Sequence, residues 1–282
     1  MLGHKLVQQW QKFFDVYTTI RTEFKNVEKL LIFNRLKTFE RIEINEINKV
    51  AEVVQIVQPN VIINAVGIIK QVPSSKDTIK TLMTNSIFPH QLAQIAAAAN
   101  ARLITISTDC VFRGDKGNYN ENDIPDADDL YGKSKNLGEV TGENALTVRS
   151  SIIGREINSA HSLVEWFLSN RGGKVKGFEQ AIYSGFPTKI FARILAEIIV
   201  DHPRLNGLYH VSSDPINKYD LLNLINDRYQ ARVDIERSDE LRIDRSLDSS
   251  KFRKETGFQP ASWEEMIEEM AADETPYDDW RK

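Results

Sequence analysis

Short apolar runs that alternate with helix-like segments constrain the fold of this chain more than any other feature. The run from Val61 to Ala65 is rich in β-branched residues, and similar runs span 103–107 and 145–149. Apolar residues recur at helical spacing over 47–57 and over 87–99. Short strands that alternate with helices are typical of a parallel sheet covered by helices on both faces. The sequence therefore predicts an α/β fold built on a doubly wound parallel sheet.

The alternation is regular in the first half of the chain and then loosens, which divides the predicted fold into two parts. We assign residues 1–150 to the sheet domain, and a helix and a strand predicted over 187–211 return to it. We assign 151–186 and 212–282 to a smaller lobe that closes over the carboxyl edge of the sheet. Gly-Gly and Ser-Gly pairs within 172–185 predict a hairpin-like segment.

Composition argues against several classes of protein. The chain has 282 residues, and 36 basic against 40 acidic residues give a net charge of −4, so no general attraction to nucleic acid is expected. The single cysteine, Cys110, is interpreted as a small buried hydrophobe. The five histidines form no ligand pair at helical spacing, so no metal site is predicted. No apolar run reaches the ~18 residues of a membrane span, so we expect a cytoplasmic protein without membrane attachment.

A group of residues suited to proton transfer follows the 103–107 run. Thr108 comes directly after it, and Tyr131-Gly132-Lys133-Ser134-Lys135 begins 23 residues later. Positions i and i+4 share one helix face, so Tyr131 and Lys135 point the same way. An ammonium beside a phenol favours the ionised form, and we expect Lys135 to lower the pKa of Tyr131. Thr108, at a strand end, can hold a substrate oxygen while Tyr131 gives or takes its proton.

Three segments carry a resemblance to a known family. They are Ser107-Thr108-Asp109-Cys110-Val111-Phe112, Tyr131-Gly132-Lys133-Ser134-Lys135 and Asn64-Ala65-Val66-Gly67. The chain resembles the extended short-chain dehydrogenase/reductase superfamily, and within it the dTDP-4-dehydrorhamnose reductases and related sugar-nucleotide reductases. Weaker support comes from 149–154, 185–188 and 244–248. The resemblance implies a Rossmann-like fold in which 1–150 binds NADP(H) and the smaller C-terminal lobe binds substrate.

The resemblance also implies roles for individual residues. Tyr131 matches the proton donor of the family, and Lys135 matches the residue that tunes it and binds the nicotinamide ribose. Thr108 matches the hydroxyl that holds the substrate carbonyl. Asp109 agrees with the rhamnose-reductase type and is expected near the substrate.

Five further residues are expected around the cofactor because they match family positions or suit its chemistry. Ala65, Val66 and Gly67 match the loop over the cofactor, and Asn85 matches a residue that supports it. Arg21 closes a predicted strand, where a basic residue can meet the 2′-phosphate of NADP. A solvated surface arginine is the alternative interpretation of Arg21.

The start of the chain departs from the family pattern. The family opens with a strand and a Gly-x-x-Gly-x-x-Gly turn, of which Gly3 alone matches, as the last glycine at the cofactor. Without that strand, we expect Leu6, Val7 and Trp10 to lose much of the surface that they cover, and two neighbouring strands to keep unpaired edges. We expect the full protein to begin upstream of Met1, since unpaired buried backbone is costly. The alternative is a truncated chain that binds the dinucleotide poorly.

Three functions are compatible with these residues. The resemblance favours NADPH-dependent reduction of a keto group on a nucleotide-linked deoxysugar. An NAD-dependent sugar-nucleotide epimerase or dehydratase is the second, although a dehydratase typically carries a Glu after the acid that Asp109 matches. The third is a non-catalytic dinucleotide-binding subunit, like the regulatory subunit of methionine adenosyltransferase. Lys70 and Tyr183 are polar residues on predicted loops that either contact the substrate or lie on the surface. The sugar, the product stereochemistry and the oligomeric state, with a homodimer as one option, stay open.

Overall fold

A computed structural model describes residues 1–157 and 159–281. None of the helices in these residues is long and apolar enough to cross a membrane. A π-helical turn, Met83–Ile87, joins the third helix to the fourth without a break. The helices are α1 (Leu2–Trp10), α2 (Ile47–Val57), α3 (Thr78–Leu82), α4 (Phe88–Ala98), α5 (Leu130–Leu137), α6 (Leu163–Ser169), α7 (Thr188–Val200), α8 (Lys218–Tyr229), α9 (Ser250–Thr256), α10 (Trp263–Ala271) and α11 (Tyr277–Trp280).

The strands are short, and most of them belong to parallel pairs. They are β1 (Thr18–Thr19), β2 (Thr38–Phe39), β3 (Val61–Asn64), β4 (Arg102–Ser107), β5 (Ala145–Arg149), β6 (Ile152–Ile153), β7 (Lys174–Phe178), β8 (Ala181–Tyr183), β9 (Phe186–Pro187), β10 (Gly207–His210), β11 (Ile216–Asn217), β12 (Asp234–Ser238) and β13 (Ile243–Asp244).

The main sheet has the strand order β10-β5-β4-β3, and every neighbouring pair in it is parallel. Successive side chains of a strand point to opposite faces. Leu103 therefore packs with α2 and α4 on one face, while Ile104 packs in the larger core that includes α1 and α7 on the other. The predicted α/β fold with a parallel, doubly covered sheet is confirmed. Because β10 pairs with β5, the segment from α7 to β10 completes this sheet.

The second half of the chain forms three small sheets with partners far apart in sequence. β8 lies between β11 and β13, β7 pairs with β12, and β6 pairs with β9. The hairpin expected within 172–185 is wrong, because β7 and β8 each pair with later segments and not with each other. Glycine pairs mark where a chain turns, but they do not select the partner of each flanking strand.

Of the two expectations for the N-terminal segment, one is confirmed and the other is wrong. In the described residues, β1 pairs with β2 in a separate parallel sheet and β3 is the edge of the main one, so the unpaired edges are confirmed. However, Leu6 and Trp10 are buried, and Trp10 Nε1 donates a hydrogen bond of 2.9 Å to the Ala192 carbonyl. The expectation that these two residues lose their cover is wrong because α7 supplies the apolar surface.

After α10 the chain returns to α1 and holds it by polar contacts. Lys5 Nζ lies 2.5 Å from Asp273 Oδ2, and His4 Nε2 lies 2.9 Å from the Tyr277 hydroxyl. Tyr277 and Trp280 then pack in a small apolar cluster with Leu30 and Ile32. The C-terminal segment thus fixes α1 to the loop between β1 and β2.

Candidate active site

The carboxyl end of β4 presents a hydroxyl and a carboxyl group side by side. Thr108 caps the short 3₁₀ turn Asp109–Val111, where its Oγ1 accepts a hydrogen bond of 3.1 Å from the Cys110 backbone. The same hydroxyl donates to Asp109 Oδ1 at 3.0 Å. Both side chains are buried, and burial raises the pKa of Asp109 while the Thr108 hydrogen bond opposes that rise.

Helix α5 brings Tyr131 to this strand end. Asp129 caps the helix by accepting a hydrogen bond of 2.8 Å from the Gly132 backbone. A Cβ added at Gly132 would lie 2.2 Å from the Cys110 carbonyl oxygen, so the close approach of helix and turn requires glycine. In this arrangement the Tyr131 phenol lies close to Thr108, whose hydroxyl opposes the rise in the pKa of that phenol. Two of the three expected catalytic side chains therefore meet.

The pKa of Tyr131 is raised, contrary to the expectation from the sequence that Lys135 would lower it. Burial raises the pKa of Tyr131 and outweighs the opposing effect of the Thr108 hydroxyl. The Lys135 ammonium instead donates a hydrogen bond of 2.7 Å to the Ile106 carbonyl. Burial lowers the pKa of Lys135 to about 8, although Glu139 opposes that shift. The direction was wrong because spacing along a helix reports neither burial nor competing acceptors.

A buried ionic network lies next to Lys135, and no sequence pattern had indicated it. Arg149 donates to both carboxylate oxygens of Glu139, at 2.7 and 2.6 Å, and Ser107 donates to Glu139 at 2.6 Å. His210 Nδ1 lies 2.8 Å from the Tyr119 carbonyl, and its Nε2 lies 3.2 Å from Arg149 Nη1. Because a carbonyl only accepts, Nδ1 carries the proton and Nε2 accepts from Arg149. Burial and the Arg149 charge lower the pKa of His210 to about 4.

The loop expected at the cofactor follows β3, and the Asn85 side chain fixes it by two hydrogen bonds. Asn85, on the π-helical turn, accepts a hydrogen bond of 2.8 Å from the Ile68 backbone and donates to the Ile68 carbonyl at 3.0 Å. Val66 and Gly67 are exposed, and an added Cβ at Gly67 would meet only Asn85, at 3.5 Å. Ala65 is also exposed. The loop is therefore fixed at Ile68, while residues 65–67 stay exposed.

The remaining expected cofactor residues lie at the ends of α1 and β1. Gly3 is exposed in the first turn of α1, and an added Cβ would meet no atom within 4 Å. Arg21 follows β1 and is exposed, and its guanidinium forms no ion pair with any described residue. Both positions are accessible to a ligand, and neither contacts Tyr131 or Lys135 in the described structure.

Three residues from the second half of the chain lie around Asp109, and the sequence had singled out only Tyr183 among them, which is in strand β8 and not in a loop as expected. Tyr183 lies near Asp109, Cys110 and Ser151, and burial raises its pKa well above the ordinary value. Arg245 donates to the Phe112 carbonyl at 2.8 Å, and Lys218 interacts electrostatically with Asp109. The only advance signal was the family-like segment 244–248. Burial raises the pKa of Cys110 to about 12, so it stays a thiol.

Lys70 pairs with the helix α5 cap and forms no hydrogen bond or ion pair with Asp109 or Tyr183 in the described residues. It is exposed, and its ammonium lies 2.6 Å from Asp129 Oδ2, the carboxylate that caps α5. The contact ties the loop after β3 to the helix that carries Tyr131. Of the two polar residues considered for the substrate pocket, Tyr183 joins Asp109 and Lys70 pairs at the surface.

A parallel sheet with a hydroxyl at a strand end and a Tyr-x-x-x-Lys helix beside it defines the class of NAD(P)-dependent oxidoreductases of the extended short-chain dehydrogenase/reductase type. A family model described as RmlD substrate binding domain matches residues 1–275. The chain therefore belongs to the RmlD substrate-binding-domain family, and the expected resemblance is confirmed.

The chain is similar to individual proteins that are named for different functions. The chain is 26% identical over 258 residues to a dTDP-4-dehydrorhamnose reductase of Aggregatibacter actinomycetemcomitans, covering 83% of this chain and 88% of that one. It is 27% identical over 212 residues to methionine adenosyltransferase 2 subunit beta of Bos taurus, covering 68% of this chain and 61% of that subunit. The solved dTDP-4-dehydrorhamnose reductase of Bacillus anthracis, in complex with NADP, matches at 22% identity with a TM-score of 0.74, covering 90% of this chain and 97% of that one. The last likeness shows the fold.

Proposed function

We propose that the protein reduces a keto group on a nucleotide-linked deoxysugar, with NADPH as the reductant. The observation that carries the proposal is the meeting of Thr108 and Tyr131 at the end of β4, with Lys135 one helical turn further along α5. Membership of a family that includes dTDP-4-dehydrorhamnose reductases supports the substrate class.

Thr108 and Tyr131 would have different roles in the proton transfer. Thr108 now donates to Asp109 and would turn that donation toward a substrate carbonyl, which only accepts. The raised pKa of Tyr131 keeps its phenol protonated, as a proton donor requires. As the carbonyl oxygen gains negative charge, the proton moves from Tyr131 Oη to that oxygen. NADPH, when bound, would supply the hydride.

NADP rather than NAD is proposed from the end of β1. Arg21 is an exposed guanidinium without an ion pair in the described residues, where a 2′-phosphate can be bound. The loop of Ala65, Val66 and Gly67, fixed by Asn85, would contact the dinucleotide, and Lys135 would bind its ribose. The Bacillus anthracis relative in complex with NADP is consistent with this choice.

Turnover by a tyrosine variant tests the proposal. We expect the protein to oxidise NADPH in the presence of a dTDP-4-keto-6-deoxyhexose, and Tyr131→Phe to lower kcat by about 10²-fold or more, since positioned acids contribute that much. NADPH binding, followed by fluorescence titration, should stay close to that of the unmodified protein. Tyr17→Phe alters an exposed tyrosine and is the matched control. Equal turnover by Tyr131→Phe would contradict the proposal.

A non-catalytic dinucleotide-binding subunit is the second candidate. The similarity to methionine adenosyltransferase 2 subunit beta favours it, and so does the Lys135 ammonium, which is bound to a backbone carbonyl and not to Tyr131. NADPH binding without turnover of any keto sugar nucleotide, together with a co-purifying partner protein, would select this candidate over the reductase.

A further inference from the structure

The small sheet β11-β8-β13 places three polar side chains beside the end of β4. Ile216 of β11 pairs with Tyr183, and Asp244 of β13 pairs with Ile182. Arg245, the next residue after β13, therefore falls beside Tyr183. Lys218, the next residue after β11, begins α8. The C-terminal part of the chain thus faces the Thr108–Phe112 segment with one phenol and two cations.

Arg245 is fixed against that segment by defined contacts. Its Nε donates a hydrogen bond of 2.8 Å to the Phe112 carbonyl, and its Nη1 lies 3.9 Å from Cys110 Sγ. Its Nη2 has no hydrogen bond with any described residue. One edge of the guanidinium is therefore used by the protein, and a forked donor of this kind suits a carboxylate or a phosphate on its other edge.

Lys218 has no such structural contact. Its side chain is half-buried and forms neither a hydrogen bond nor an ion pair within residues 1–157 and 159–281. Its ammonium is nevertheless within electrostatic range of Asp109, Arg245 and Cys110. A partly desolvated ammonium without a partner is unfavourable, and an anion would relieve that penalty.

Tyr183 adds an independent sign of a ligand. The residue is 9% exposed, and its hydroxyl is a buried atom without a hydrogen-bond partner by geometry in the described structure. The nearby Ser151 hydroxyl influences its pKa without meeting that geometry. Buried hydroxyls are nearly always satisfied, so an unsatisfied one on the strand between β11 and β13 indicates a group that binds there.

We propose that Lys218 and Arg245 are specificity-determining residues that bind an anionic oxygen group of the substrate next to the carbonyl held by Thr108. The Tyr183 hydroxyl donates to the same group. This inference rests on the proposed function and extends it to the charge of the substrate. The anion is either the diphosphate of the nucleotide or a carboxylate on the sugar, since both present oxygens that two cations can bind.

Lys218 offers the cleaner test, because substitution of Arg245 would also release the Phe112 carbonyl. Lys218→Met keeps the aliphatic stem and removes the charge, and Lys218→Arg restores the charge. Lys254→Met removes an exposed lysine on α9 and is the matched control. Calorimetric titration of the full chain, in the presence of NADPH, with UDP-glucose and with UDP-glucuronate separates the two sources of the anion.

We expect Lys218→Met to weaken binding by about tenfold or more, as loss of a charge-assisted hydrogen bond does. Lys218→Arg should recover most of the affinity. An equal loss of affinity for both sugar nucleotides identifies the diphosphate as the bound group. A loss of affinity for UDP-glucuronate alone identifies the carboxylate. Unchanged affinity for both, or no binding of either by the unmodified protein, would overturn the inference. If only the proposed function is wrong, NADPH-dependent turnover is absent but Lys218→Met still weakens binding of the sugar nucleotides. Failure of the proposed function and failure of this inference are therefore distinguishable.

Discussion

At the scale of single residues, Glu139 is expected to keep Lys135 charged. Its carboxylate raises the pKa of Lys135 against the larger effect of burial, which lowers that pKa to about 8. The ammonium is present below this pKa and is lost as pH rises through it. In Glu139→Gln, NADPH binding should therefore begin to weaken at a pH about one unit lower. One pKa unit corresponds to ~1.4 kcal/mol of interaction.

Fluorescence titration of NADPH at pH values on either side of about 8 measures this shift. Glu143→Gln, at an exposed position shortly after α5, is the control and should leave the profile unchanged. The same pH profile for Glu139→Gln and the unmodified protein would show that Glu139 has no electrostatic role at Lys135.

The residues of the site were only partly predictable from sequence. Thr108 and Tyr131 were found because a strand end and a helical spacing are visible as patterns. Lys218 and Arg245 follow strands of two residues, which are too short to produce any periodicity. The pKa of Tyr131 could not be foreseen, because burial depends on the segments that fold over it.

At the scale of elements, long periodic segments were predicted well and pairing was not. The helix predicted over 47–57 and the strand predicted over 145–149 have those bounds in the structure, because each has one continuous apolar pattern. The partners of β8 come from 216–217 and 243–244, and no local pattern indicates such contacts.

The contact between α1 and the C-terminal segment leads to a stability prediction. Asp273→Asn would leave the buried Lys5 ammonium without its carboxylate, so the free energy of unfolding should fall by about 3 kcal/mol or more. Asp278→Asn alters a carboxylate that is 77% exposed, and exposed pairs contribute about 0–1 kcal/mol. Urea denaturation of both variants measures the difference. Equal destabilisation would mean that Lys5 does not depend on Asp273.

At the scale of the whole molecule, two buried histidines join parts of the chain that are distant in sequence. His4 joins α1 to the C-terminal segment, and His210 joins β10 to β5 and to the loop at Tyr119. Burial lowers the pKa of His4 to about 3 and that of His210 to about 4. Both side chains are therefore neutral in the folded protein under conditions that protonate them in the unfolded chain.

This difference makes the stability of the whole fold depend on pH. The unfolded chain binds more protons than the folded one below the ordinary histidine pKa of about 6.5, so stability falls as pH decreases from there. Each histidine should contribute a slope of about 1.4 kcal/mol per pH unit. Ordinary carboxylates titrate mostly below about pH 4.5, so the comparison uses the window from there to about pH 6.5. Urea denaturation across it should give a shallower slope for His4→Gln than for the unmodified protein, while His161→Gln, at an exposed position, keeps the original slope. Parallel curves for His4→Gln and the unmodified protein would show that the link between α1 and the C-terminal segment does not exclude the protonated imidazole.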